Sequence, residues 1–164
     1  KMQGRKSTYI SFLFTTIFTV DGICPDGWIS HMESCYLFSH DVESWSGALT
    51  MCNVVKGNLV EITDARENNY IYNTIHGFSP LTYWWLGGND IEAEGKWMWT
   101  ASRTLFNSSY TNWRRGEPSD SGANKEDCQH MYSDDGTWND ADCTVLMHFI
   151  CEKSPILDGG EIVG

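Results

Sequence analysis

Apolar residues along this chain follow two rhythms. Trp45, Ala48, Leu49, Cys52 and Val55 recur at spacings of three and four, which predicts a helix, with Gly57 placed to end it. Asp64 followed three residues later by Glu67 reads as a capping box that opens a second helix, whose buried face is Ile71 and Ile75 and which runs to Gly77. Residues 59–62 between them read as a short strand. After Pro80 the rhythm shortens, and residues 83–87, 97–99, 129–132 and 147–151 are predicted to be short aromatic strands. Helices first and strands later imply an α+β domain. Residues 102–125, rich in Ser, Asn, Arg and Gly with Pro118 inside, keep neither rhythm. A loop this long in a compact domain is usually functional or disordered, and Tyr110 and Trp113 argue against plain disorder.

A third pattern stands at the start. Arg5 and Lys6 precede an apolar run from Tyr9 to Val20, too short to cross a bilayer, with small residues at Val20 and Gly22. That order predicts a secretory signal peptide over residues 1–22, in preference to an ordinary N-terminal strand. Residues 23–153 then form one domain and 154–164 a C-terminal tail. About 140 residues can bury roughly two-thirds of their unfolded surface. No second apolar run follows, so no membrane span is expected, and the exported chain is expected to be soluble and extracellular.

The cysteines agree with export. All six, at 24, 35, 52, 128, 143 and 151, lie after the predicted cleavage point, and an even count in an exported chain argues for three disulfides. Six cysteines admit fifteen connectivities, and spacing alone does not choose among them. Zinc is disfavoured because no Cys-x-x-Cys pair is present and the five histidines lie apart from the cysteines. A net charge of -11 disfavours nucleic acid and anionic membrane surfaces as partners.

The surplus carboxylates are concentrated. Glu117, Asp120, Glu126, Asp127 and Asp140, with the amide oxygen of Asn139 beside them, crowd two loops, and Asp90 and Glu94 follow a strand. Calcium takes six to eight oxygen ligands at about 2.3–2.6 Å from this kind of inventory, although any single carboxylate is more often a solvated surface charge. Here the order of motifs becomes informative. Trp85-Leu86-Gly87-Gly88-Asn89-Asp90 is followed by Glu94-Gly95-Lys96-Trp97-Met98-Trp99, Asn112-Trp113, Glu117-Pro118-Ser119, Glu126-Asp127-Cys128, Trp138-Asn139-Asp140 and Phe149-Ile150-Cys151-Glu152. From Cys24 to Lys153 the chain resembles the C-type lectin domains, in their long form.

That resemblance implies two helices with short antiparallel sheets, a long calcium-binding loop and three disulfides, Cys24–Cys35, Cys52–Cys151 and Cys128–Cys143. The second would close a loop of about 100 residues, worth up to ~4.7 kcal/mol in chain-entropy terms. It implies a principal calcium ion held by Glu117, Ser119, Glu126, Asn139 and Asp140, the same residues binding sugar hydroxyls, and a cis peptide before Pro118. An auxiliary calcium ion is implied at Asp90, Glu94, Asp120 and Asp127, with Glu126 shared. Ser119 departs from the Asn or Asp usual at its position, and the loop from Glu117 to Glu126 is one residue longer than in compact mannose-type members. A serine hydroxyl can bind through oxygen and still donate its proton, which with Glu117 is similar to the mannose-type arrangement more than the galactose-type.

The remaining residues read more plainly. Trp28, Tyr36, Trp45, Trp97, Trp99 and Trp138 are assigned to the core, with Tyr110 and Trp113 as the candidates for exposed aromatics. None of the histidines is given a role, and no arrangement for nucleophilic or acid–base catalysis is found, so the chain is not expected to be an enzyme. Asn107-Ser108-Ser109 is an N-glycosylation sequon. The expected function is calcium-dependent binding of terminal sugars on glycoproteins or microbial surfaces, a pattern-recognition role in innate immunity. The alternative is a lectin-like module that binds protein or a surface without sugar. Weak single-site sugar binding favours multivalency, which a homo-oligomer would supply.

Overall fold

The computed structural model describes residues 23–78, 81–119 and 125–156. The predicted signal peptide at 1–22, Asp120 and most of the predicted tail lie outside the described residues. Among these residues, eight strands and two α-helices occur in the order β1 (Ile29–His31), β2 (Ser34–Phe38), α1 (Trp45–Val54), β3 (Asn58–Leu59), α2 (Ala65–Phe78), β4 (Tyr83–Asn89), β5 (Met98–Trp99), β6 (Cys128–Tyr132), β7 (Trp138–Ala141) and β8 (His148–Lys153).

The first helix begins where Ser44 Oγ accepts the Gly47 N–H at 3.2 Å, and it buries Trp45, Ala48 and Cys52. Gly57 closes it for a reason of space. The left-handed backbone falls one residue earlier, at Lys56 (φ 56°), while a Cβ on Gly57 would come within 2.9 Å of both the Glu152 carbonyl and the Trp28 ring. The second helix starts as expected at Asp64, whose Oδ1 accepts the N–H groups of Arg66 and Glu67 at 2.8 and 2.9 Å. Glu67 does not complete the capping box on Asp64. Its Oε2 accepts the Thr63 N–H at 2.8 Å, and its Oε1 accepts the Tyr36 hydroxyl at 2.7 Å, tying the helix to β2. Gly77 lies inside the helix, which ends at Phe78.

The strands are ordered β1-β2-β8-β4-β6-β7, with β3 added to β8 and β5 to β4. Every ladder is antiparallel except β4 with β8. Because β4 is covered on both faces, it reads as a continuous apolar run rather than an alternation. Trp84 and Leu86 point into one core with Tyr36, Ile71, Ile75, Trp99, Trp138 and Ile150. Trp85 points into the other with Trp45, Cys52, Leu59 and Phe149. Two strands, β1 and β2, precede the helices, so the sheet is assembled from both ends of the chain. A bridge from Ile23 to Ile156 and the disulfide Cys52–Cys151 hold those ends together, and Cys24–Cys35 and Cys128–Cys143 complete the implied pairing.

Candidate functional site

The long loop between β5 and β6 is anchored by aromatic packing. Phe106 is buried, and Tyr110 and Trp113, expected to be exposed, are half-buried edge-on against Trp138 with centroids 5.6 and 6.0 Å away. The correction has a physical cause. Trp138 Nε1 donates to the buried Asn68 Oδ1 at 2.8 Å, fixing an indole around which the loop's own aromatics bury their surface. Trp28 is half-buried rather than core, under the Lys153 ammonium at 3.9 Å from the ring centre.

Backbone bonds then carry the loop onto β7. Trp138 N–H donates to the Asn112 carbonyl and Arg114 N–H to the Trp138 carbonyl, at 2.9 and 2.8 Å. The Arg114 guanidinium lies over the Tyr132 ring and pairs with Asp134 and Asp135 at 3.2 and 2.8 Å. Glu117 N–H donates to the Arg114 carbonyl, and the Glu117-Pro118 peptide is cis. One residue later the Ser119 N–H donates to Asp140 Oδ2 at 2.8 Å. The structure therefore brings the Glu117–Ser119 segment directly against Asp140, which is almost wholly buried.

Asn139 Nδ2 donates to the Asp140 carbonyl at 2.6 Å and approaches His130 Nε2 at 3.4 Å. His130 was given no part by its sequence position. Burial pushes its pKa down to about 4, so the ring is neutral at physiological pH.

A second carboxylate group forms at the end of β4. Asp90 N–H donates to the Asp127 carbonyl at 3.1 Å, and Asp90 Oδ2 accepts the Gly95 N–H at 2.7 Å. Burial, and then the negative charges of Glu94 and Asp127, push the Asp90 pKa up to about 6. Glu94 is approached by the Lys125 ammonium at 3.7 Å. Glu126 is half-buried just before β6, next to Asp127.

The donor chemistry of these two groups fits a hard cation. Every candidate ligand offers oxygen, and both Glu117 Oε2 and Asp90 Oδ1 are buried with no hydrogen-bond partner among the described residues. Among those residues, no three His, Cys, Asp or Glu side chains converge as a ready-made metal cage. The acidic side chains alone do not make the site. Ser119 and Asn139 would supply neutral oxygens beside them.

Among the described residues no helix is long and apolar enough to cross a membrane. The Lectin C-type domain family matches residues 41–153. A perlucin-like protein from Mytilus galloprovincialis is 39% identical over 131 residues, 78% of this chain and 81% of that protein. The galactose-specific lectin nattectin from Thalassophryne nattereri is 36% identical over 132 residues, 80% of each. The carbohydrate-recognition domain of the mouse scavenger receptor C-type lectin superposes with a TM-score of 0.73 at 30% identity, covering 80% of this chain and 98% of that domain. With the motifs, the three disulfides and the fold all in agreement, the chain belongs to the C-type lectin domain family of non-enzymatic carbohydrate-binding domains, which typically bind calcium and some of which bind ligands other than sugars.

Proposed function

We propose that this protein is an extracellular, calcium-dependent lectin that binds terminal sugars on glycoproteins or microbial surfaces in innate recognition, with mannose-type sugars favoured over galactose-type. The observation that carries the reading is the bond from Ser119 N–H to Asp140 Oδ2, which joins the Glu117-Pro118-Ser119 turn to the Trp138-Asn139-Asp140 strand. Five oxygen-bearing side chains, Glu117, Ser119, Glu126, Asn139 and Asp140, then belong to one principal site. Asp90, Glu94, Asp127 and Asp120, with Glu126 shared, are assigned to an auxiliary site at the end of β4.

Calcium bound at the principal site would supply open coordination positions for two neighbouring sugar hydroxyls. The chain's own residues set which hydroxyls are accepted. Glu117 and Glu126 accept hydroxyl hydrogens through ionised oxygens, giving short bonds stronger than neutral ones. Ser119 is the one short side chain of the set and can both accept and donate, so the donor stands on the side opposite Glu117. That polarity supports the mannose-type lean, and three disulfides support an oxidising, extracellular setting.

The test is a melt of the mature domain in calcium and in chelator, followed by competition with mannose, fucose, galactose and N-acetylgalactosamine. A ligand bound only by the folded state adds about 2.7 kcal/mol at a hundredfold excess over Kd. Equal midpoints in the two buffers would overturn the calcium reading. Inhibition by the galactose pair alone, the specificity in the name of nattectin, would overturn the sugar assignment.

A further inference from the structure

Asn107 belongs to the lining of a cleft of about 370 Å³. The lining comes from two stretches of chain. Gly95, Lys96 and Trp97 stand just ahead of β5, and Leu105, Phe106 and Asn107 stand at the 3-10 turn of the long loop, with Trp113 further along it. None of these residues is a candidate cation ligand.

The cleft is apolar where it is deep and polar at its rim. Trp97 and Phe106 are almost wholly buried, whereas Lys96 and Asn107 are exposed and Leu105 keeps 40% of its surface in water. Its rings are held in place by one another. Trp97 meets Trp113 edge to face at 4.8 Å, and Phe106 lies 6.2 and 5.9 Å from the two. The cleft is therefore built in advance, and it leaves apolar surface on Leu105 and Trp113 that water covers poorly.

Asn107 is also the acceptor of the Asn107-Ser108-Ser109 sequon. The first sugar of an N-linked glycan is joined to the side-chain nitrogen of that residue, so it starts at the cleft's own lining. N-acetylglucosamine has the matching chemistry: one face of C–H groups and an acetamido methyl for Leu105 and Trp113, and hydroxyls for water and the Lys96 ammonium. A tethered group meets its site at an effective concentration on the order of millimolar, so contacts too weak to hold a free monosaccharide still hold this one.

We infer that this cleft seats the first N-acetylglucosamine of a glycan carried by Asn107, and that the seated sugar braces the long loop against the turn ahead of β5. The inference rests on the extracellular reading proposed above. A glycan with no seat would extend into water and leave the folded state as stable as before.

The full chain is secreted from a eukaryotic host and melted in chelator in three forms: intact, trimmed by an endoglycosidase to a single N-acetylglucosamine, and stripped by an N-glycosidase. Asn107→Gln is the control for the charge that stripping leaves behind. The intact and trimmed forms are expected to melt together, roughly 2–6 °C above the stripped form and Asn107→Gln, the shift that one aromatic contact produces in a domain of this size. Nuclear Overhauser contacts from the acetamido methyl to the Trp113 indole are expected in the trimmed form. Leu105→Ser keeps the sequon and removes apolar lining, and should erase the difference between its own trimmed and stripped forms. Equal midpoints for trimmed and stripped wild type, without those contacts, overturn the inference, and so does a gain that disappears on trimming. Secretion without a glycan on Asn107 overturns the inference and leaves the extracellular reading standing. Failure of the chain to reach the medium overturns the extracellular reading, and the inference with it.

Discussion

Replacing Trp138 with Phe tests the join between the core and the loop. Trp138 is fully buried, its indole nitrogen donates to Asn68 Oδ1 at 2.8 Å, and four aromatic rings surround it: Trp99, Phe106, Tyr110 and Trp113. Phenylalanine removes the donor and leaves a buried amide oxygen unpaired, which costs about 1–3 kcal/mol. The lost ring volume adds on the order of 1 kcal/mol, since a surround tied down by backbone bonds on both sides collapses incompletely. The total, roughly 2–4 kcal/mol, lowers Tm by about 6–16 °C for a domain of this size. The assay is denaturant and thermal unfolding in chelator, so that no bound ion contributes.

A double-mutant cycle with Asn68→Leu separates the bond from the packing. Asn68 Nδ2 also donates to the Gly136 carbonyl, but that oxygen keeps the Asn112 Nδ2 donor at 2.8 Å, so Asn68→Leu chiefly strands the Trp138 N–H. Once both partners are apolar, neither is left wanting, and the double variant is expected to be more stable than the sum of the single losses predicts by about 1–2 kcal/mol. Additivity within ~0.5 kcal/mol would refute the claim that this hydrogen bond anchors the indole.

Asp140→Ala is expected to abolish sugar binding while the three disulfides keep the domain folded; persistent calcium-dependent binding on a glycan array would show the principal site to be misassigned. Ser119→Asn is expected to strengthen competition by mannose, because the longer amide restores an N–H beside the carbonyl oxygen, and unchanged inhibition constants would count against a ligand role for Ser119. Burial, and after it the charges of Glu67 and Glu61, hold the Glu152 carboxyl above its ordinary value. The folded state therefore binds that proton more tightly than the unfolded chain, so the contribution is fully present below the unfolded pKa and is lost as pH rises through the folded one. In chelator the wild type is expected to gain stability relative to Glu152→Gln as pH falls from 7 to 4, and a difference independent of pH would contradict this. Asn107 stands exposed on a single 3-10 turn, Phe106–Ser108, and in a eukaryotic secretory host its glycan is expected to be released by an N-glycosidase and absent from Asn107→Gln.

Local pattern made much of this protein legible. Both helices could be found because their apolar spacing and the Asp64 cap are local signals, and β4 because a strand covered on both faces must be apolar throughout. The order of motifs from Trp85 to Glu152 identified the family and, through it, the disulfide connectivity. Three strands were not legible. Ile29–His31 and Ser34–Phe38 are short, and Trp138–Ala141 contains Asn and Asp, which disfavour strands in isolation. Ser34–Phe38 is held by a ladder to β8, far away in sequence, and then offers its other edge to Ile29–His31, while Trp138–Ala141 is held by its hairpin to β6. The fate of Tyr110 and Trp113 was likewise undecidable from composition, since an aromatic in a polar loop is exposed or buried according to whether a fixed ring waits to receive it. Nor could the sequence say that Gln129, one polar residue in an apolar strand, shares a row with Gly88, Trp99 and Asp140. Residue types and their spacing determined which chemistry the chain can offer. Strand pairing decided which atoms meet, because register places side by side residues that no local signal connects.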